Sequence, residues 1–213
     1  ENKAVVERWL ELWNTGDLTI ADEVLAANFV PHTPHFPDLT DIESYKAEIA
    51  NTGTLIPDFN ATLEDLIAEG DKVVARFTAT GTAQGEFMGI TVDGVQYTNT
   101  WIIMFRFAGG KIVEEWWQFD MLGVLEQWGM MPPSRPTPEN FTWGAPSEVA
   151  GDPGDPVTNT AHVLYVVQKF WNEQNVTALD NTHSLEFIAH NPVIPGHPLP
   201  YNMYKHVCLP HLA

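Results

Sequence analysis

Apolar side chains recur at helical spacing at the start of the chain. Val5, Trp9 and Leu12 fall on one stripe, and Gly16 follows as a stop signal. A helix whose apolar stripe is this narrow has one face to bury and one face for solvent. The pattern therefore predicts an amphipathic first helix over about 2–14.

Two further helices are predicted before residue 55. One covers about 18–27, and a Thr-x-x-Glu capping box at Thr40 and Glu43 opens another that ends near Gly53. The stretch NFVPHTPHFPDL lies between them and carries three prolines. Because proline lacks a backbone N–H and clashes with the preceding turn of a helix, this stretch is predicted to be a loop.

From Phe59 onward the apolar spacing changes to the alternation of β-strands. A turn at 70–71 and a Gly-Gly turn at 109–110 separate the strands, the last of which is KIVEEWWQFD. Helices followed by a meander of strands are typical of the α+β class, in which helices pack on one face of an antiparallel sheet. Strong curvature of such a sheet would leave a pocket between the two layers.

The chain changes character after residue 131. Residues 1–131 form the predicted α+β domain, and 132–157 are so rich in proline that they are predicted to be an extended linker. Residues 158–213 repeat the N-terminus at an offset of 158, so that Trp171 corresponds to Trp13. We expect a truncated second copy made of helices only, docked on the first domain or on a neighbouring molecule, unless the chain is a fragment of a longer tandem protein.

Asp120 follows the last predicted strand and precedes a short amphipathic helix. It is either the cap of that helix or a general acid/base held in an apolar pocket. The two roles differ in pKa, because backbone N–H groups would lower it and burial among aromatic residues would raise it. If the strand is regular, Trp116 and Gln118 share the face of Asp120. Trp116 could then stack on a planar ring and Gln118 could bind the substrate oxygen.

Other candidate ligand contacts come from the helices and the proline-containing loop. His32 and His35 lie in that loop, and they either contact a ligand or hydrogen-bond the local backbone. Trp13 and Tyr45 have core spacing, and they either fill the interface between helices and sheet or also wall the pocket. No helical His-x-x-x-His pair occurs and Cys208 is the only cysteine, so no metal site is predicted.

Charge and cysteine content limit the classes of binding partner and the expected cellular location. Ten basic against twenty-eight acidic residues give a net charge of −18, which disfavours nucleic acids and anionic membrane surfaces. No apolar run approaches the ~20 residues of a membrane span. A single cysteine forms no intrachain disulfide, and the chain begins without a signal-like apolar segment. A cytoplasmic location is therefore expected.

Two motifs carry a family resemblance. The F-V-x-H-x-P loop and the segment G-K-I-V-E-x-W-x-x-x-D-x-L-G-x-L-x-Q-x-G, at 110–129, resemble the SnoaL-like polyketide cyclase family of the nuclear transport factor 2-like superfamily. The resemblance spans roughly 2–131. It implies a cone-shaped curved antiparallel sheet closed by N-terminal helices, a homodimer, a hydrophobic small-molecule substrate, and chemistry without metal or cofactor.

The resemblance also assigns a role to Asp120. In characterised cyclases the carboxylate of this segment is the general acid/base of an intramolecular aldol ring closure. The chain departs from the family at Glu115, where a histidine is frequent, and at Met104 and Arg106, where cyclases tend to offer His or Gln to the substrate; Arg106 is kept as a substrate-binding candidate. The expected function is an aldol-type cyclisation or isomerisation of a polyketide-like substrate. The alternatives are a non-catalytic binding domain for an apolar small molecule, and a scaffold.

Overall fold

A computed structural model gives the structure of most of the chain. The residues that it describes are 1–87, 89–131, 154–173, 175, 177–178, 188–189 and 199–200. The chain divides into two compact units. The first contains the described residues up to 131, and the second contains those from 154 onward.

The first unit consists of four helices and five strands. In chain order they are α1 (Asn2–Thr15), α2 (Thr19–Val24), β1 (Leu25–His32), α3 (Ile42–Leu55), β2 (Asn60–Glu69), β3 (Lys72–Phe87), β4 (Ile90–Ala108), β5 (Lys111–Phe119) and α4 (Met121–Gln127).

The five strands form one sheet in the order β1-β5-β4-β3-β2. All neighbours pair antiparallel except β1 and β5, which are parallel. Register shifts occur in every pair, and bulges of this kind bend a sheet. The sheet is curved and unclosed, with the N-terminal helices against it, so the predicted α+β class is confirmed. The predicted Gly-Gly turn is also present, with positive φ at Gly109 and Gly110.

Strand β1 differs from the prediction for its part of the chain. The predicted second helix reached Ala27 and was followed by a loop, whereas the structure has a strand from Leu25. Phe29 and Pro31 are buried and Val30 between them is exposed, which is the alternation of a strand. Proline is tolerated there because β1 is an edge strand, where one side of the backbone needs no partner.

The cap of helix α3 lies one residue later than predicted. Asp41, and not Thr40, is the N-cap: its carboxylate accepts a hydrogen bond from the Ser44 backbone N–H at 2.9 Å. The Ser44 hydroxyl oxygen in turn accepts from the Asp41 backbone N–H at 3.0 Å. The box is therefore reciprocal, as in the predicted motif, but uses Asp and Ser.

The core fills the space between helices α1 and α3 and the inner face of the sheet. The Tyr45 hydroxyl oxygen accepts hydrogen bonds from the indole N–H groups of Trp9, at 2.7 Å, and Trp13, at 3.1 Å. All three side chains are buried. One hydroxyl group thus connects the two helices inside the core.

Asn14 connects helix α1 to the sheet. Its side-chain N–H donates to the Ala61 carbonyl at 2.9 Å, and its carbonyl oxygen accepts from the Ala61 N–H at 2.7 Å. The C-cap of α1 is Gly16, in a left-handed conformation, so the Asn14 side chain is not needed to end the helix. Asn14 therefore satisfies both backbone groups of a buried strand residue.

The described part of the second unit is short. Helix α5 (Pro156–Val166) is capped by Asp155 and continues as a π-helical segment, Val167–Asn172. Two short strands, β6 (Ile188–Ala189) and β7 (Leu199–Pro200), pair antiparallel. Most of the predicted linker and much of the predicted second repeat lie outside the described residues.

Within the described ranges, none of the helices combines the length and apolar character that crossing a membrane requires.

Replacing Asn14 by alanine should destabilise the first unit. The change leaves the Ala61 N–H and carbonyl without their partners, and an unsatisfied buried polar group costs roughly 1–3 kcal/mol. We expect Asn14→Ala to lower the free energy of unfolding by an amount in this range, measured by urea denaturation.

The matched control is Asn60→Ala, at the neighbouring exposed position. It should change stability by less than about 0.5 kcal/mol. Equal losses in the two variants would contradict the role of Asn14.

Candidate active site

Strand β5 presents two different faces. Glu115 and Trp117 are buried on the inner face, against the helices, whereas Glu114, Trp116 and Gln118 alternate with them and face the other way. Gln118 is exposed, and Glu114 and Trp116 are half-buried. Trp116 and Gln118 are therefore on the side of the sheet opposite the core.

Four of the sequence candidates lie on this outer face. The His32 ring stacks on Trp116, with ring centroids 4.9 Å apart and planes at 11°. His32 Nε2 lies 3.5 Å from a carboxylate oxygen of Glu114, and the Arg106 guanidinium donates to the other oxygen. This hydrogen bond lowers the pKa of Glu114, and His32 adds a smaller contribution. Gln118 is the fourth candidate on the outer face.

An inner cavity of about 70 Å³ lies between the helices and the inner face. Trp13 is part of its wall, and Tyr45 lies directly behind, with ring centroids 5.7 Å from Trp13 and 5.8 Å from Trp117. The wall is almost wholly aromatic and aliphatic. Its members are Trp13, Phe36, Glu48, Thr52, Leu55, Ile56, Phe59, Phe87, Tyr97, Trp101, Trp117, Phe119, Met121, Val124 and Trp128.

An outer cavity of about 680 Å³ adjoins the inner one. Its wall mixes apolar side chains, neutral hydrogen-bonding groups and two carboxyl groups. Its members are Phe36, Glu48, Asn51, Thr52, Thr54, Leu55, Gln84, Gly85, Glu86 and Phe87. Pockets of this size accommodate ligands of several rings.

Asp120 is the N-cap of helix α4. Its Oδ1 accepts the Gly123 backbone N–H at 2.9 Å. Among the described residues, none donates a hydrogen bond to Oδ2. A Cβ at Gly123 would lie 2.4 Å from that oxygen, so the carboxylate occupies the space that a side chain would fill. Asp120 lines neither cavity, although Phe119 and Met121 on either side of it line the inner one.

His35 is exposed near this end of the molecule. Its ring meets the edge of Phe119 with centroids 4.8 Å apart, and the neighbouring Phe36 stacks on the same ring at 6.0 Å. Since Phe119 and Phe36 line the inner cavity, His35 is the candidate histidine beside the cavity wall, whereas His32 is on the outer face.

Glu115 is a buried carboxyl group that the sequence did not single out for a role. It is fully buried, and burial raises its pKa to about 8, although the Tyr45 hydroxyl and the nearby indoles of Trp117 and Trp9 partly oppose the shift. Within the described part of the chain, neither carboxyl oxygen has a hydrogen bond of good geometry. Glu115 is therefore neutral at pH 7. The signal in the sequence was a glutamate at an inward position of an alternating strand.

Glu48 is a second carboxyl group that the sequence analysis missed. It lines both cavities, and burial raises its pKa. Glu48, Thr52 and Leu55 follow one another at spacings of four and three residues, which places them on one stripe of helix α3. This spacing was visible in the sequence, but a glutamate on a helix ordinarily indicates a solvated face.

The described residues contain no group of three or more His, Cys, Asp or Glu side chains arranged to hold a metal ion. His190, His197 and Cys208 lie outside the described residues.

Comparison with known proteins places the first unit in a family. The sequence model of SnoaL-like polyketide cyclases matches residues 3–128, more than half of the chain. TsrD from Streptomyces laurentii is 30% identical, with a TM-score of 0.55 over 60% of this chain and 94% of that chain. IdmH from Streptomyces antibioticus, described as a candidate polyketide cyclase, is 31% identical, with a TM-score of 0.54 over 61% and 99%.

A third similar structure carries a different functional description. AclR from Streptomyces galilaeus, described as a candidate hydroxylase, is 27% identical, with a TM-score of 0.56 over 62% of this chain and 97% of that chain. The fold is thus shared by proteins with different descriptions. No curated protein matches this chain.

Glu115→Gln should make the protein less sensitive to rising pH. The ordinary pKa of 4.5 is that of the unfolded chain, and the folded value is about 8. Between these values the unfolded state releases its proton and the folded state keeps it, so wild-type stability falls as pH rises. Glutamine does not titrate, so the variant lacks this pH-dependent loss of stability. We expect the free energy of unfolding of Glu115→Gln, relative to that of the wild type, to increase by up to about 1.4 kcal/mol per pH unit from pH 5.5 to 7.5. Urea denaturation at each pH measures it.

Glu69→Gln, at an exposed position in β2, serves as the control. It should follow the wild-type dependence on pH. If the Glu115→Gln protein also follows the wild type, Glu115 is ionised in the folded state and the burial argument is wrong.

Proposed function

Since the chain belongs to the SnoaL-like polyketide cyclase family, we propose that it carries out cofactor-independent acid/base chemistry on a hydrophobic, polyketide-like small molecule. The reaction would be an aldol-type cyclisation or an isomerisation. Both begin with removal of a proton from a carbon next to a carbonyl group. The proposal thus needs a site for an apolar substrate and a carboxyl group that can transfer protons.

The observation that carries the proposal is the aromatic cavity beneath helix α4. Trp13, Trp101, Trp117 and Trp128 contribute to its wall. Flat indole faces favour planar, conjugated molecules, and an apolar wall excludes water from the reaction. One apolar end of a polyketide-like ketone would enter this cavity of about 70 Å³, and the adjoining cavity of about 680 Å³ would hold the remainder.

Asp120 is the proposed general acid/base. The Gly123 N–H holds Oδ1 and thereby orients the carboxylate, while no described residue hydrogen-bonds Oδ2, which leaves that oxygen to accept a proton. In a ring closure, Oδ2 would take the α-proton, the resulting enolate carbon would bond to a second carbonyl carbon, and the new alkoxide oxygen would take that proton back from Asp120. Asp120 lies in the chain between two residues of the cavity wall, Phe119 and Met121, which supports its assignment to this site.

The other candidates fall into two groups with respect to this site. Trp13 is a wall residue with Tyr45 behind it, and His35 lies beside the wall residue Phe119. These are the proposed substrate-side residues.

Trp116, Gln118, His32 and Arg106 lie on the outer face of the sheet. They would contact only a ligand bound there. The homodimer, the truncated second repeat and the cytoplasmic location stay predictions.

A non-catalytic binding domain is the second candidate function. The capping bond of Asp120 favours it, because the bond gives the carboxylate a structural role at the start of helix α4. Such a domain would use the same aromatic cavity for an apolar ligand and would leave the ligand unchanged.

Asp120→Asn should separate capping from catalysis. The asparagine side chain keeps an oxygen that can accept the Gly123 N–H, but it cannot take a proton. The test reaction is exchange of the methyl protons of 2-acetylnaphthalene, a planar enolisable ketone, for deuterium in D₂O, followed by mass spectrometry. We expect wild-type protein to accelerate the exchange and Asp120→Asn to lower the rate roughly 10²- to 10⁴-fold, with thermal stability close to wild type.

Asp41→Asn is the matched control, because Asp41 caps helix α3 and lines neither cavity. It should leave the exchange rate unchanged. Asp120→Ala removes the cap and should cost about 0.5–2 kcal/mol of stability. If Asp120→Asn retains wild-type exchange per folded molecule, Asp120 is only a cap. If wild-type protein binds 2-acetylnaphthalene without exchange, the binding domain is favoured.

A further inference from the structure

The two cavities of the first unit share one stretch of wall. Phe36, Glu48, Thr52, Leu55 and Phe87 line both, so the cavities adjoin there. Of the described residues, Glu48 alone brings a carboxyl group to the inner cavity. A ligand that extends from one cavity into the other would run along this shared wall, of which Glu48 is part.

Glu48 has no cationic partner in these walls. Among the described lining residues there is no Lys, Arg or His. Phe36, Leu55 and Phe87 surround the shared stretch, and burial raises the pKa of Glu48 while Asn51 opposes the shift only in part. A half-buried carboxyl group without a counter-ion keeps its proton to higher pH, which suits it to donate a proton.

The sizes of the cavities indicate how a ligand would divide between them. At about 70 Å³ the inner cavity takes only a small apolar part, whereas the outer cavity of about 680 Å³ takes the bulk. Asn51, Thr54 and Gln84 provide neutral hydrogen-bonding groups in the outer wall. The composition of the two walls matches a molecule with one apolar end and a larger hydroxylated part.

We propose that Glu48 is a second catalytic carboxyl group, which protonates the carbonyl oxygen of a neutral, hydroxylated, ring-bearing ketone while Asp120 removes the α-proton. The α C–H bond breaks, its electron pair forms the C=C bond of the enol, and the carbonyl oxygen takes the proton of Glu48. Asp120 gains the proton that the carbon loses. This inference rests on the proposed function, because it assigns the second of two proton transfers in the same site.

The wall around Glu48 also selects for the charge of the ligand. An anionic ligand would meet Glu48 and, in the outer cavity, Glu86 without a compensating cation. Neutral 2-acetylnaphthalene should therefore bind more tightly than 2-naphthoate, which has a carboxylate on the same ring system. Quenching of tryptophan fluorescence reports binding, because four indoles stand in the inner wall. Equal or tighter binding of 2-naphthoate would overturn the neutral substrate class.

The decisive experiment measures deuterium exchange into 2-acetylnaphthalene with the full chain and its Glu48→Gln variant between pH 5 and 9. Wild-type exchange should fall on the alkaline side, where Glu48 loses its proton. Glu48→Gln should bind the ketone as wild type does but exchange it roughly 10²- to 10⁴-fold more slowly, without the alkaline fall. Glu48→Asp retains the acid and should restore part of the rate.

Glu43→Gln is the control, since Glu43 is exposed on the same helix and lines neither cavity. Wild-type rates and pH profile in Glu48→Gln would overturn the role of Glu48 while leaving the proposed function intact. Loss of ketone binding in Glu48→Gln would also overturn the role of Glu48 as a proton donor, because Glu48 would then be a binding group. Absence of exchange in the wild type, with binding retained, would instead overturn the proposed function and this inference with it.

Discussion

The hydroxyl group of Tyr45 is the interaction on which the rest of the first unit depends. Tyr45 belongs to helix α3, and its hydroxyl oxygen accepts hydrogen bonds from the indole N–H groups of Trp9 and Trp13 in helix α1. The positions of the two helices over the sheet are thereby linked at one buried atom. Helix α3 carries Glu48 and helix α1 carries Trp13, so the two linked helices both contribute to the wall of the cavity. Burial, and secondarily the nearby Glu115, raise the pKa of Tyr45, which keeps it un-ionised.

Three carboxyl groups near the cavity have three different environments. Glu115 is sealed behind the wall and neutral at pH 7, which avoids the large penalty of an unpaired buried charge. Glu48 stands in the wall, and Asp120 stands just outside it with one oxygen held by the backbone. The latter two are the carboxyl groups that we propose exchange protons with a ligand. Two carboxyl groups in unlike surroundings suit a reaction in which one group removes a proton and the other donates one.

The family and the cavity contribute different parts of the functional conclusion. Membership of the SnoaL-like polyketide cyclases accounts for the curved sheet and its helical cover, but a fold of this kind carries many activities. The aromatic wall, the neutral polar groups of the outer cavity and the absence of lining cations among the described residues are properties of this chain. They support the proposed class of ligand, a neutral, partly hydroxylated aromatic or polyketide-like molecule, over an acid.

The sequence by itself determined the class of the fold, because helical and strand periodicities depend on the nearest neighbours along the chain. The sequence showed helix α1, the Gly-Gly turn and the change from strand to helix at Asp120. Only the tertiary structure decided which side of β5 faces the helices, and so placed Trp116 and Gln118 on the outer face and Glu115 inside. Strand β1 escaped prediction because its partner is eighty residues or more away in the chain. Glu48 looked like a solvated helix residue until the long β3 strand brought Phe87 against its face. Burial and pKa depend on such distant contacts, which local spacing does not encode.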